Sequence, residues 1–198
     1  MAFNSNAQNH ELGLFGLEGE WDVGLIRPTD IAPIIIRDGS AFSVRNLAWG
    51  YRSLDRNQRA PQVNARAETL FELRSFRDDA FASRCLIPVR AFYEWQDTGE
   101  KKKRPWRFER TDGTLLWVAG IWKPSEKLFC MVTSEPSRFV REVHDRMPAI
   151  LEDEVAQDWL DPSLTKDDLE RLLIPGEPPL KMQEENPLKP EKPQGSLF

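Results

Sequence analysis

Arg84-Cys85-Leu86-Ile87-Pro88-Val89-Arg90-Ala91-Phe92-Tyr93-Glu94-Trp95 reads as the central strand of a β-rich chain. Apolar residues dominate it, and Asp97-Thr98-Gly99 supplies the turn behind it. A period of two from Arg90 puts Arg90, Phe92 and Glu94 on one face, and Ala91, Tyr93 and Trp95 on the other. Glu94 is the one carboxylate, and aromatics flank it. Rings strip solvent from a carboxylate, which raises its pKa towards the range useful for proton transfer. By itself the stretch reads more simply as an edge strand whose glutamate reaches water.

Working outward, the chain keeps producing strands. Asp30 to Arg37 is a β-branched run ending in Asp38-Gly39, and Phe42 to Trp49 follows it, so the spacing predicts a β-hairpin. Pro105 to Arg110 and Thr114 to Ile121 flank Asp112-Gly113 and predict a second hairpin. Leu128 to Thr133 is continuously apolar, as in a strand buried on both faces. Short strands joined by tight turns predict an α+β fold with a mainly antiparallel, barrel-like β-core and flanking short helices. The helices expected are 67–80, 152–160 and 166–173, the last opened by a Thr165 and Asp168 cap, with a short helix or loop at 136–143. Residues 1–20 are weakly patterned, and 51–62 read as an arginine-rich surface loop containing Arg52, Arg56 and Arg59. Six prolines follow Ile174, so the expected organisation is one domain over 1–174 and a Pro-rich tail over 175–198.

With 198 residues, 40% of them hydrophobic, and seven Trp, the chain can build a substantial core. No apolar run reaches membrane-span length and the first residues lack a signal-peptide pattern, so no membrane partner and a cytoplasmic location are expected. Cys85 and Cys130 both lie in apolar runs, which predicts reduced core cysteines; no metal and no cofactor are expected. Net charge is −5, but it is unevenly spread: −3 over residues 1–50, +5 over 51–150 and −7 beyond. The middle of the chain can therefore present a basic patch to an anionic partner. Lys101 to Arg110, with Lys102, Arg104 and Trp106, has the composition of a strand-binding surface, cations for phosphates and rings for unstacked bases. A solvated hairpin turn has the same composition.

Three motifs carry groups that chemistry can use: Asn64-Ala65-Arg66, Phe92-Tyr93-Glu94-Trp95, and His144-Asp145-Arg146-Met147-Pro148. With Trp49-Gly50, Ala67-Glu68-Thr69, Arg84 to Pro88, Ala119-Gly120-Ile121-Trp122 and Trp159-Leu160-Asp161, they run in order from about residue 28 to 162. In that order the chain resembles the SOS response-associated peptidase (SRAP) family of abasic-site processing proteins. The resemblance implies a barrel-like core with a positively charged cleft for single-stranded or gapped DNA. It also implies covalent capture of the abasic-site aldehyde by an N-terminal cysteine, whose amine and thiol close a thiazolidine. Asn64, Glu94 and His144 would serve the chemistry, and Arg66, Trp49, Trp95 and Arg146 would contact DNA. A monomer is expected.

The departure lies at the start. Where the family begins Met-Cys-Gly-Arg, this chain has Met1-Ala2-Phe3-Asn4, and no cysteine precedes Cys85. Without the thiol a thiazolidine cannot form. If Met1 is removed, the Ala2 α-amine, with a reference pKa of roughly 7.7–8.0, can still form an imine with an aldehyde. Three readings stay open: an imine-forming lyase using Ala2, a DNA-binding module without covalent capture, and a native start that differs from residues 1–4.

Overall fold

The computed structural model describes residues 1–52 and 60–187, and in it the 84–95 stretch is two strands rather than one. To number them in chain order, the first five are β1 (Ala2–Ala7), β2 (Trp21–Ile26), β3 (Ile31–Asp38), β4 (Ala41–Trp49) and β5 (Asn64–Arg66). The stretch itself supplies β6 (Arg84–Val89) and β7 (Ala91–Gln96). After it come β8 (Arg104–Arg110), β9 (Leu116–Lys123), β10 (Leu128–Ser134), the short β11 (Met147–Pro148) and β12 (Ile150–Leu151), and β13 (Leu180–Glu184). Arg90 is the corner between β6 and β7. Its guanidinium donates to Asn6 Oδ1 at 2.7 Å, to Glu11 Oε2 at 2.6 Å and to the Gly113 carbonyl.

One sheet runs β13-β8-β7-β1-β2 and is antiparallel throughout. The other runs β11-β10-β4-β3-β6-β9-β12, and β10 pairs back onto β9, so β4, β3, β6, β9 and β10 close a ring. This is the mainly antiparallel, barrel-like core that the strand spacing predicts; the exceptions are β4 and β5, which both run parallel to β10. These two lie end to end along one edge of β10. The chain leaves that edge at Gly50, whose φ of +128° suits glycine alone, and rejoins it at Asn64.

Both faces of the ring sheet are covered, which explains its continuous apolar runs. Ile34, Ile36, Ile87, Val118 and Phe129 meet Phe3, Phe92 and Phe108 of the first sheet. The alternate residues, Ile35, Leu86, Ala119, Cys130 and Val132, meet Leu70, Phe71, Trp159 and Leu169 on the other side. Gly120 marks the tightest approach: a Cβ there would lie 2.8 Å from Cys85 Sγ.

The β3–β4 hairpin forms as predicted, with Ile31 opposite Ala48 and Asp38 opposite Ala41. The second predicted hairpin does not form. Its turn is present, but β8 pairs with β7 and β13, while β9 pairs with β6, β10 and β12. The single helix predicted over 67–80 is replaced by a 3-10 turn, Ala67–Thr69, and a short helix. Leu70, Phe71 and Phe76 are buried while Leu73 is exposed, so no single helical stripe exists to bury. The α-helices are α1 (Asn9–Leu12), α2 (Arg77–Ala82), α3 (Arg138–Arg141) and α4 (Lys166–Leu172). The capping box predicted for α4 is present, Thr165 Oγ1 accepting from the Asp168 N–H while Asp168 caps the Thr165 N–H. Residues 152–160, expected as a helix, are turns and a 3-10 segment, Asp158–Leu160. The weakly patterned start is β1, a central strand, and the expected tail supplies β13, an edge strand on β8. Arg56, Arg59 and residues 188–198 lie outside the described residues.

Candidate functional site

The site grows out of the register between β1 and β7. Ala2 pairs with Tyr93 and Phe3 with Phe92, so the residue that falls opposite Glu94 is Met1. On the other flank Glu94 pairs with Trp106 of β8. Glu94 shares the inward face with Phe92, as the period-two reading requires, and is 3% exposed. Its Oε2 lies 3.7 Å from the Met1 α-amino nitrogen and 3.7 Å from His144 Nε2. Burial pushes the Glu94 carboxyl above the ordinary carboxylate range, against the opposing pull of the α-ammonium and the imidazole. With Met1 in place, the amine facing Glu94 is that of Met1, and Ala2 is buried on the opposite face beside Tyr93.

His144 is carried on the loop after α3. Ser137 caps that helix through the Val140 N–H, and the His144 N–H donates to the Val140 carbonyl. Buried Val140, Val143 and Met147 anchor the loop in the core between the sheets. The Arg146 backbone N–H donates to His144 Nδ1 at 3.1 Å. An acceptor Nδ1 leaves the proton of the neutral ring on Nε2, towards Glu94. Gln96, which sequence reasoning did not single out, ties this loop to the strands. Its Nε2 donates to the Glu142 carbonyl and its Oε1 accepts from Trp106 Nε1.

The remaining expected site residues divide. Asn64 is half-buried, with an Oδ1 that is buried and unpaired among the described residues, and Arg66 is exposed two positions further along β5. Neither is hydrogen-bonded or ion-paired to Glu94 or His144. Trp95 and Trp106 are half-buried, and Lys102 and Arg104 are exposed on or beside the β7–β8 turn. Arg104 Nε stands 3.8 Å from Glu184 of β13.

Two of the residues expected to contact DNA are engaged within the protein. Trp49, expected to contact DNA, is fully buried, edge-on to Phe3 at 5.0 Å and stacked over Phe129, with its indole N–H on the Val63 carbonyl. It supports β1 from beneath and has no free face. Arg146, expected on DNA, is engaged within the protein: Nη1 and Nη2 reach Glu68 Oε1 and Oε2 at 2.7 and 2.9 Å, and Nη2 also donates to the Thr133 carbonyl. The sequence signal for this pair was weak, since 78 residues separate the partners.

No thiol belongs to the site. Cys85 and Cys130 are free and fully buried, and burial pushes both thiols well above their usual range. Among the described residues no helix is long and apolar enough to cross a membrane.

An α-amine and an imidazole, each within ion-pair distance of one desolvated carboxylate, suit proton traffic around a carbonyl carbon. Comparison with known proteins gives the grouping of the chain. Residues 20–185 match the family model described as SOS response associated peptidase (SRAP). Abasic site processing protein YobE of Bacillus subtilis is 34% identical over 185 residues, covering 87% of this chain and 84% of that protein. Abasic site processing protein YoqW of Bacillus phage SPbeta is 35% identical, covering 87% and 83%. A crystal structure of a Bordetella bronchiseptica protein superposes with a TM-score of 0.77 at 25% identity, covering 93% of this chain and 99% of that one. A match of this extent and identity settles the grouping: the chain belongs to the SOS response associated peptidase (SRAP) family.

Proposed function

We propose that this protein processes abasic sites in DNA, using the α-amine beside Glu94 to form an imine with the open-chain aldehyde of the damaged sugar. The observation that carries the reading is the grouping of three unlike groups, with Glu94 Oε2 3.7 Å from both the Met1 nitrogen and His144 Nε2. The names of the relatives supply the substrate class. The exposed cations and half-buried tryptophans around the β7–β8 turn support a single-stranded or gapped DNA partner, whose phosphates and unstacked bases they complement.

An ammonium must lose a proton before it can attack, and the Glu94 carboxylate is the acceptor within reach. The free amine adds to the aldehyde carbon to give a carbinolamine. A proton delivered from Glu94 or from His144 Nε2–H lets the hydroxyl leave as water, and the imine remains. A base that then takes a C2′ proton would expel the 3′ phosphate, so strand cleavage is the second step this geometry supports. A thiazolidine is not proposed, because both thiols are buried in the core.

The alternative is a DNA-binding module without covalent capture, favoured by alanine at position 2. Incubation with single-stranded DNA bearing one abasic site, with and without borohydride, separates the two. The expected result is a denaturation-resistant adduct only with borohydride, and peptide mapping should place it on the α-amine. Retained DNA binding with neither adduct nor cleavage would reject imine chemistry and leave the binding module.

A further inference from the structure

We infer that Glu68 is a positioning residue for His144: its two-pronged grip on the Arg146 guanidinium holds the Arg146 backbone N–H on His144 Nδ1 and keeps the imidazole proton on Nε2, facing Glu94. The inference rests on reading Glu94 and His144 as the proton-handling pair of the site.

The argument starts from β10. Its Thr133 pairs with Arg66 of β5 on one side and with Pro148 of β11 on the other. Glu68 follows β5 in a single 3-10 turn, and Arg146 precedes β11, so the two side chains approach each other from opposite edges of one strand. The guanidinium closes that gap with Nη1–Oε1 at 2.7 Å, Nη2–Oε2 at 2.9 Å and Nη2 to the Thr133 carbonyl at 2.6 Å. Among the described residues its Nε is buried with no partner and, Glu68 aside, only the Thr133 contacts hold the side chain. Those hydrogen bonds also hold the Glu68 carboxyl below the usual carboxylate range, so the grip stays ionised around neutral pH.

Two residues before Arg146, the imidazole has two possible partners for Nδ1. One is the Arg146 N–H at 3.1 Å, which demands a lone pair there. The other is the Asp145 carboxylate, also 3.1 Å away and 90% exposed, which demands a proton there. These demands are opposite, and the backbone position of Arg146 decides between them. If Arg146 drifts, Asp145 draws the proton to Nδ1. Nε2 then points a lone pair at the Glu94 carboxylate, and the ring can no longer deliver a proton from that side. Glu68 thus acts on the reaction through Arg146 and His144, without touching substrate.

The chain has two histidines, so 15N spectra of the imidazoles are assignable with one His10→Gln control. The expected wild-type result is the Nε2–H tautomer with a through-hydrogen-bond coupling between the Arg146 amide nitrogen and His144 Nδ1. Glu68→Gln and Glu68→Ala should lose the coupling and shift population to Nδ1–H. Removing the competitor, in Glu68→Ala with Asp145→Ala, should restore Nε2–H. At saturating DNA the rate of borohydride trapping should fall about tenfold to a hundredfold in the Glu68 variants, as misplacement of a reacting group does. An unchanged tautomer and coupling in folded Glu68→Gln would overturn the inference. If the tautomer follows Glu68 but the wild type traps no adduct, the positioning stands and the proposed reaction falls.

Discussion

Glu94 holds its place through competing forces on one carboxyl group. Burial disfavours its charge, while the α-ammonium and His144 favour it, and the balance is a raised pKa. A raised native pKa means that the folded state binds the proton more tightly than the unfolded chain. The stability this contributes is present in full below the ordinary glutamate pKa and is lost as pH rises through the native value. Glu94→Gln keeps the shape and removes the charge. In denaturant titrations the wild type should therefore lose stability relative to Glu94→Gln on going from mildly acidic to neutral pH. A relative gain instead would mean that the amine pair outweighs burial. On function, the same variant removes the proton acceptor, and adduct trapping should fall by about a hundredfold or more. Equal trapping rates would remove Glu94 from the reaction.

At the scale of elements, β6 is bracketed by two arginines that do different work. Arg90 turns the chain from one sheet into the other. Arg84 donates to the carbonyls of Trp159, Ala80, Phe81 and Asp161 at 2.6–2.9 Å, ending α2 and pinning residues 159–161 to the start of the strand. Among the described residues no carboxylate is hydrogen-bonded to it, and burial pulls its pKa down against the charge of Asp161. Arg84→Met fills similar volume but leaves those carbonyls unpaired, which should cost on the order of 3 kcal/mol in chemical denaturation. A loss of under about 1 kcal/mol would mean that water replaces the guanidinium. These arginines also show what was legible in the sequence. Patterns that refer only to near neighbours were readable: the β3–β4 hairpin, the two-face burial of β10, the Thr165 cap. The corner at Arg90 was not, since apolar residues continue through it and its partners are Asn6, Glu11 and Gly113. The β8–β9 turn misled for the same reason, because a turn signal reports a change of direction and not the strand's partner. β1 was hidden by its small polar residues, Ser5 among them, whose hydroxyl is buried against the Pro88 carbonyl. Of the site, Glu94 and His144 were legible as motif residues. The inward role of Trp49 and the Glu68–Arg146 pair depend on contacts between distant segments.

For the molecule as a whole, charge is arranged by folding and not only by composition. The acidic end of the chain returns as β13 and lies against β8, in the basic middle. There Glu184 meets Arg104, Glu185 meets Arg107, and Lys181 meets Glu109. Part of the basic segment is thus neutralised within the protein, and its residues should not contribute equally to holding DNA. Lys102 has no ion pair among the described residues, whereas Arg104 sits 3.8 Å from Glu184 in a pair with both partners about half exposed. Such a pair is weak and yields to a phosphate at small cost. Each phosphate contact on a single strand adds about 0.7 to the slope of log affinity against log salt. Lys102→Glu should therefore flatten that slope by about one contact and weaken binding at low salt. Arg104→Glu should have the smaller effect, since it gives up a cation already shared with Glu184. The converse change is the sharper one: Glu184→Gln releases Arg104 and should tighten binding, most at low salt, without altering the trapping rate at saturating DNA. Fluorescence anisotropy with a labelled single strand reads both quantities. Equal slopes for the wild type, Lys102→Glu and Glu184→Gln would show that DNA does not cross the β7–β8 turn.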